Sequence, residues 1–173
     1  MASIHLAVAI VTFVWLSSVD ARVTRIVIDS TTPITNQPYE SLRGRAFGEL
    51  DPNHPLNAII TDIQLAPRNA NGKVEYVASF LIRKPTDMTT ASGLLWHDVP
   101  NRGGNVNLPA DSFAARDAQL LSGWQGDDSG NTAIPATATC LPPYVSPCAA
   151  PTTTNHWVKV PIATNLDGSP ITG

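Results

Sequence analysis

Fifteen prolines, all of them beyond residue 21, restrict what this chain can fold into. A proline ring removes a backbone donor and clashes with the preceding helical turn. Spread this densely through a weakly charged chain, prolines favour short strands and loops over long helices. The expected class is therefore β-rich, with turns set by Pro, Gly and Asn.

Ahead of the prolines lies a segment of another kind. Leu6–Leu16 reads LAVAIVTFVWL, apolar throughout except for Thr12, and Val19-Asp20-Ala21 then supplies the small residues that a signal peptidase requires. The run is about half of the ~20 residues needed to cross a bilayer, which argues against a transmembrane helix. Residues 1–21 are thus expected to be a signal peptide cleaved after Ala21, with the mature chain exported to the periplasm or secreted. MASIH contains no Lys or Arg, so an uncleaved amphipathic leader is the alternative. No second apolar stretch reaches membrane length, so no membrane span is expected. The formal net charge is −3, Asp20 leaves with the signal, and there is no basic run, which argues against a nucleic-acid partner.

Export also bears on Cys140 and Cys148, the two cysteines, in CLPPYVSPC. An oxidising compartment favours a local disulfide, stabilising by at most about 2–3 kcal/mol because the loop is short. A metal site is disfavoured. There is no CxxC spacing, and His5, His54, His97 and His156 are scattered. No cofactor is expected either.

Along the mature chain, VTRIVID at 23–29 reads as a first strand, 31–40 as turn-rich, and 42–50 as an alternating segment. In that segment Ala46, Gly48 and Leu50 share one face, opposite Arg43, Arg45, Phe47 and Glu49. Alternation recurs at Ile59, Thr61, Ile63 and Leu65, and again from Val74 to Ile82. With Asn71-Gly72 between them, these last two segments predict a β-hairpin. GLLWHDV at 93–99 reads as a buried strand running into PNRGGN. Residues 109–112 suggest a helix start with Asp111 or Ser112 as N-cap, and Phe113, Asp117 and Leu120 or Leu121 follow at helical spacing. A strand is expected at His156–Ile162, and a turn at Asp167-Gly168.

Nucleophilic chemistry has little support in the residues alone. The G-x-S-x-G elbow is absent. A Ser–His–Asp set could in principle be gathered in space from Ser129, His97 and Asp98, but nothing in the sequence asks for it, and a plain strand residue is the better reading of His97. PNRGGN is more suggestive, because a strand emptying into a glycine-bearing loop offers several backbone N–H groups to a developing oxyanion. An ordinary strand-to-helix turn is its simpler explanation.

Four segments in order resemble one family. GRAFGELDPNHPLNAIITDIQLAPRNANGKVEYVASFLIRKP, WHDVPNRGGN, SGWQGD and VPIATNLDGSPITG are similar to the N-terminal part of bacterial, mostly exported α/β-hydrolase domain-containing proteins. The resemblance runs from about Val23 to Gly173. It implies a β-rich N-terminal portion (22–85), followed at 86–173 by the first strands of a truncated α/β-hydrolase core. By it, Asn101, Arg102, Gly103 and Gly104 match the oxyanion loop after the third core strand, and Trp124, Gln125, Gly126 and Asp127 match the turn after the next. The nucleophile, acid and histidine would come later in a longer chain, so no catalytic residue is expected here and the 173 residues should be inert. The complete protein would be an exported serine hydrolase of the esterase type, acting on a small-molecule ester. Two stretches depart from the family pattern: the short, poorly apolar AARDAQLLSGWQGD, and Ile134–Thr154.

Two other functions fit the composition. A secreted β-rich binding module without catalysis could stack glycans on Trp96, Trp124, Trp157, Tyr39 and Tyr144. A secreted structural protein would need no small-molecule site.

Overall fold

The computed structural model describes residues 21–101, 104–126 and 155–171. The proposed signal, Arg102, Gly103 and the Cys140–Cys148 pair lie outside the described residues, apart from Ala21, where the first strand begins.

Ala21–Pro33 (β1) and Tyr39–Leu50 (β2) are antiparallel neighbours joined by a tight turn. The turn-rich stretch narrows to residues 34–38, where Asn36 takes a left-handed conformation at φ 60° and the Ile34 amide donates to Tyr39 O at 2.9 Å. The strand Val74–Pro85 (β3) then pairs with all twelve residues of β2, from Tyr39 opposite Pro85 to Leu50 opposite Val74.

That pairing overturns the predicted hairpin. The partner of β3 is β2, and 59–65 is no strand. Asp62 sits at φ 58°, which breaks any extended run through it, and Ile63–Leu65 forms a 3-10 turn. Ile59 is 89 % exposed, whereas Ile63 packs with Ala66, Val74 and Leu50 to close the end of β2 and β3. The Asn71-Gly72 turn does form, with Gly72 at φ 71°, but it leads the chain back from this cap into β3.

Beyond β3 come the strand Leu95–Asp98 (β4), the short helix Ala110–Ala115 (α1) and the strand Ala118–Ser122 (β5). β5 inserts between β3 and β4, antiparallel to β3 and parallel to β4. A two-residue strand, Val158–Lys159 (β6), joins the same edge of β3 at Val77 and Ala78. Among the described residues the result is one β-rich mixed sheet, mostly antiparallel, with little helix.

Three sequence expectations change here. GLLWHDV does contain a strand, but β4 is an exposed edge, with Leu95 at 60 % and Trp96 at 48 %. The helix starts at Ala110 with Pro109 as its cap, and the neighbours Asp111 and Ser112 lie inside it. It also stops early: Arg116 turns left-handed at φ 68°, so Leu120 and Leu121 belong to β5. The strand expected at His156–Ile162 is reduced to β6, while the turn at Asp167-Gly168 forms, with Gly168 at φ 82°.

The register places Phe47 opposite Val77 and Leu81 opposite Leu121, so these four buried side chains share one face. On the other face the rings of Phe80 and Tyr76 lie over their cross-strand partners Gly44 and Gly48. A methyl group at Gly48 would sit 2.2 Å from the Tyr76 ring. At the sheet margin Tyr39, 1 % exposed, anchors α1. Its hydroxyl donates to Asp117 O at 2.9 Å and its ring meets Phe113 edge-on at 4.8 Å.

Candidate functional site

Two parallel strands joined through a helix place their following loops at one end, and in open α/β sheets ligands bind outside the carboxyl ends of such strands. Here β4 and β5 are that pair. Their carboxyl ends carry the two loops singled out in the sequence, PNRGGN and GWQGD.

The loops touch. Trp124 Nε1 donates to the Pro100 carbonyl at 2.9 Å, tying the turn after β5 to the loop after β4. Gln125 accepts at its carbonyl from the Val158 amide at 3.0 Å, which fastens the same turn to β6. Asn101 is exposed, and its carbonyl accepts from the Gly104 amide at 3.2 Å. That N–H therefore closes a tight turn and is not free for a substrate. Gly126 runs close to Val158, whose carbonyl a methyl group would meet at 3.5 Å. Arg102, Gly103 and Asp127 lie outside the described residues.

Replacing Trp124 by Phe keeps the ring and deletes its N–H. Trp124→Phe is expected to lower stability by about 1 kcal/mol. It should also speed amide hydrogen exchange selectively in residues 99–104. Unchanged exchange there would show that the indole does not hold the loop.

The chemistry of β4 divides by face, because successive side chains on a strand point to opposite sides. His97 Nε2 lies 2.9 Å from Ser122 Oγ on one side. Asp98 points to the other and accepts from Gln119 Nε2 at 2.9 Å. A Ser–His–Asp set through His97 and Asp98 is thereby excluded by strand geometry, whatever the position of Ser129, which lies outside the described residues. His97–Ser122 is left as an exposed cross-strand pair, with no carboxylate bonded to the imidazole among the described residues.

The opposite side holds a polar network that sequence reading missed. Arg83 donates to the Val106 carbonyl at 2.7 Å and to Gln119 Oε1, and Gln119 is itself 1 % exposed. Next to it Asp117 accepts from Ser92 Oγ at 2.6 Å and Trp96 Nε1 at 2.9 Å. Those bonds, the serine first, hold the Asp117 carboxyl below its usual range. The signal was faint: Arg83 and Gln119 sit at inward positions of their strands, but only the pairing of β3 with β5 brings them together.

Of the five rings suggested for glycan stacking, Trp157 (3 % exposed) and Tyr39 (1 %) are buried in the fold. Trp96 and Trp124 remain about half exposed, while Tyr144 lies outside the described residues. No cluster of three metal-ligating side chains occurs among the described residues, and none of their helices is long and apolar enough to cross a membrane.

No protein-family model matches the chain, and neither the curated proteins nor the solved structures contain a match.

Proposed function

We propose that this chain supplies the first core strands and the oxyanion-side loop of an exported ester hydrolase whose nucleophilic serine lies outside these residues. One observation carries the reading. The helix-linked parallel pair β4 and β5 carries the 101–104 loop and the Trp124 turn at the same end, joined by the bond from Trp124 to Pro100. In an acyl-transfer site, backbone N–H groups beside the attacked carbonyl stabilise the oxyanion that forms. The Gly104 amide is committed to Asn101, so in this reading the donors are Arg102 and Gly103, the loop positions that the family resemblance assigns to the oxyanion. The Trp124 ring, half exposed beside the loop, offers an apolar surface to the acyl or alcohol part of an ester.

The test uses the protein as it is secreted by its native host, incubated with 4-nitrophenyl butyrate and a fluorophosphonate probe. Ester turnover and a label on a serine beyond the 173 residues are the expected results. Residues 22–173 produced alone should give no turnover above buffer. Absence of both turnover and label in the native protein would refute the assignment. A non-catalytic glycan module remains the other reading, now resting on Trp96 and Trp124. It would be favoured by glycan binding that Trp124→Ala abolishes.

A further inference from the structure

Among the described residues, most buried polar side chains are matched. Gln119 and Asp117 are bonded as described, and Glu49 accepts from Arg22 at 2.8 Å and Asn69 at 3.0 Å. His156 stands apart. Its ring is 2 % exposed, and Nε2 has no hydrogen-bond partner among the described residues. A buried, unsatisfied nitrogen of this kind commonly marks the place of a water or an ion.

Its surroundings select between the two. Bonds between Trp157 and Ser79, at 2.8 and 2.9 Å, hold the chain beside His156 against β3. Arg43 lies opposite Leu81 in the β2–β3 register, and Arg83 follows Leu81 by two residues, so both arginines are on one face as diagonal neighbours. Burial first, and then the positive charges of these two arginines, lower the pKa of the His156 ring; burial and Arg43 likewise lower that of Arg83. The acid that faces Arg83 is Asp98, already bonded to Gln119. Arg43 is exposed and has no carboxylate partner among the described residues. Arg45, two residues along β2, is by contrast paired with Asp29 at 2.6 Å. Among the described residues the charges that act on this imidazole, with its unpartnered Nε2, are the two guanidiniums.

We propose that Arg43, Arg83 and His156 form a binding site for a small oxyanion, a carboxylate or a phosphate. The anion accepts from both guanidiniums and from the Nε2–H of the neutral ring, which satisfies the orphan and offsets the repulsion between the arginines. Bonds to Val106 and Gln119 fix Arg83 in advance, so part of the site is preorganised. Through Gln119 it adjoins Asp98 at the end of β4, but it does not depend on the hydrolase reading.

Ring signals of His156 in the purified protein are followed by NMR during addition of sodium acetate or inorganic phosphate, with ionic strength held constant by chloride. Saturable shifts are expected, with affinity reduced about tenfold in Arg43→Gln. Among the described residues the exposed Arg43 side chain has no carboxylate partner, so this variant should fold normally. Saturation by phosphate alone, by acetate alone or by both supports the site and tells which oxyanion it takes. Shifts no larger than those from chloride, or shifts unchanged in Arg43→Gln, would overturn it. So would a bound water at Nε2 that neither anion displaces.

Discussion

Lowering the pH from 7 to 4 is expected to remove about 1–3 kcal/mol of folding stability through the His156 imidazole. Burial first, then Arg43 and Arg83, push its pKa down from 6.5 to about 4. Above pH 6.5 the ring is neutral whether the chain is folded or not, and the stabilisation is complete. Between 6.5 and 4 the unfolded chain takes up a proton that the folded chain refuses, so stability falls. Below 4 both states are protonated and this contribution ends. Asp51, Asp87, Asp117 and Asp167 behave differently, because hydrogen bonds hold their carboxyls below the usual value. Their stabilisation is intact above about pH 4 and is lost only on further acidification, so the two windows separate. Urea unfolding at pH 7, 5.5 and 4 in chloride buffers measures the effect. His156→Gln should flatten the slope between pH 6.5 and 4, whatever it does to stability at pH 7. An unchanged slope in that variant would assign the acid sensitivity elsewhere.

Gly123→Ala is expected to be among the most damaging single changes, costing about 3 kcal/mol or more. A methyl group there would lie 2.1 Å from the Trp157 carbonyl oxygen and 2.5 Å from its carbonyl carbon and amide nitrogen. All of these are backbone atoms, and they cannot yield easily. The Gly123 amide donates to Ser79 O at 2.8 Å, the Ser79 amide donates to Trp157 O at 2.9 Å, and the Trp157 amide donates to Ser79 Oγ at 2.8 Å. This junction is where β3 changes partner from β5 to β6. The added methyl group must part the two chains. A fall in melting temperature of roughly 10 °C corresponds to that cost in a domain of this size. Gly104→Ala is the control, since its nearest neighbour would be Asn101 O at an ordinary 3.5 Å. A Gly123→Ala protein as stable as the Gly104→Ala one would contradict the described junction.

Much of the local structure was legible in the residues. β-branched runs and alternation marked β1, β2 and β3, residues 109–112 marked the entry to α1 though not its cap, and Gly72 and Gly168 marked turns. The two loops proposed for the site were also visible as PNRGGN and GWQGD. Their meeting was not, because it depends on a parallel pairing between strands more than twenty residues apart, which no local signal reports. The same limit hid the Arg83–Gln119–Asp98 network and the position of His156 near two arginines.

What the sequence determined by itself was the backbone's local preference: prolines kept elements short, alternation made strands, and glycines placed turns. Partners and faces were decided by the tertiary structure. Residues 59–65 alternate as regularly as 42–50, yet β3 chose β2, which matches it over twelve residues, and 59–65 folded into a cap. Likewise Leu120 and Leu121 fit a helix until Arg116 turned the chain and β3 offered them a ladder. Alternation shows that a segment has two faces. Which face is buried, and against what, follows only from the long-range register that satisfies the most backbone groups together.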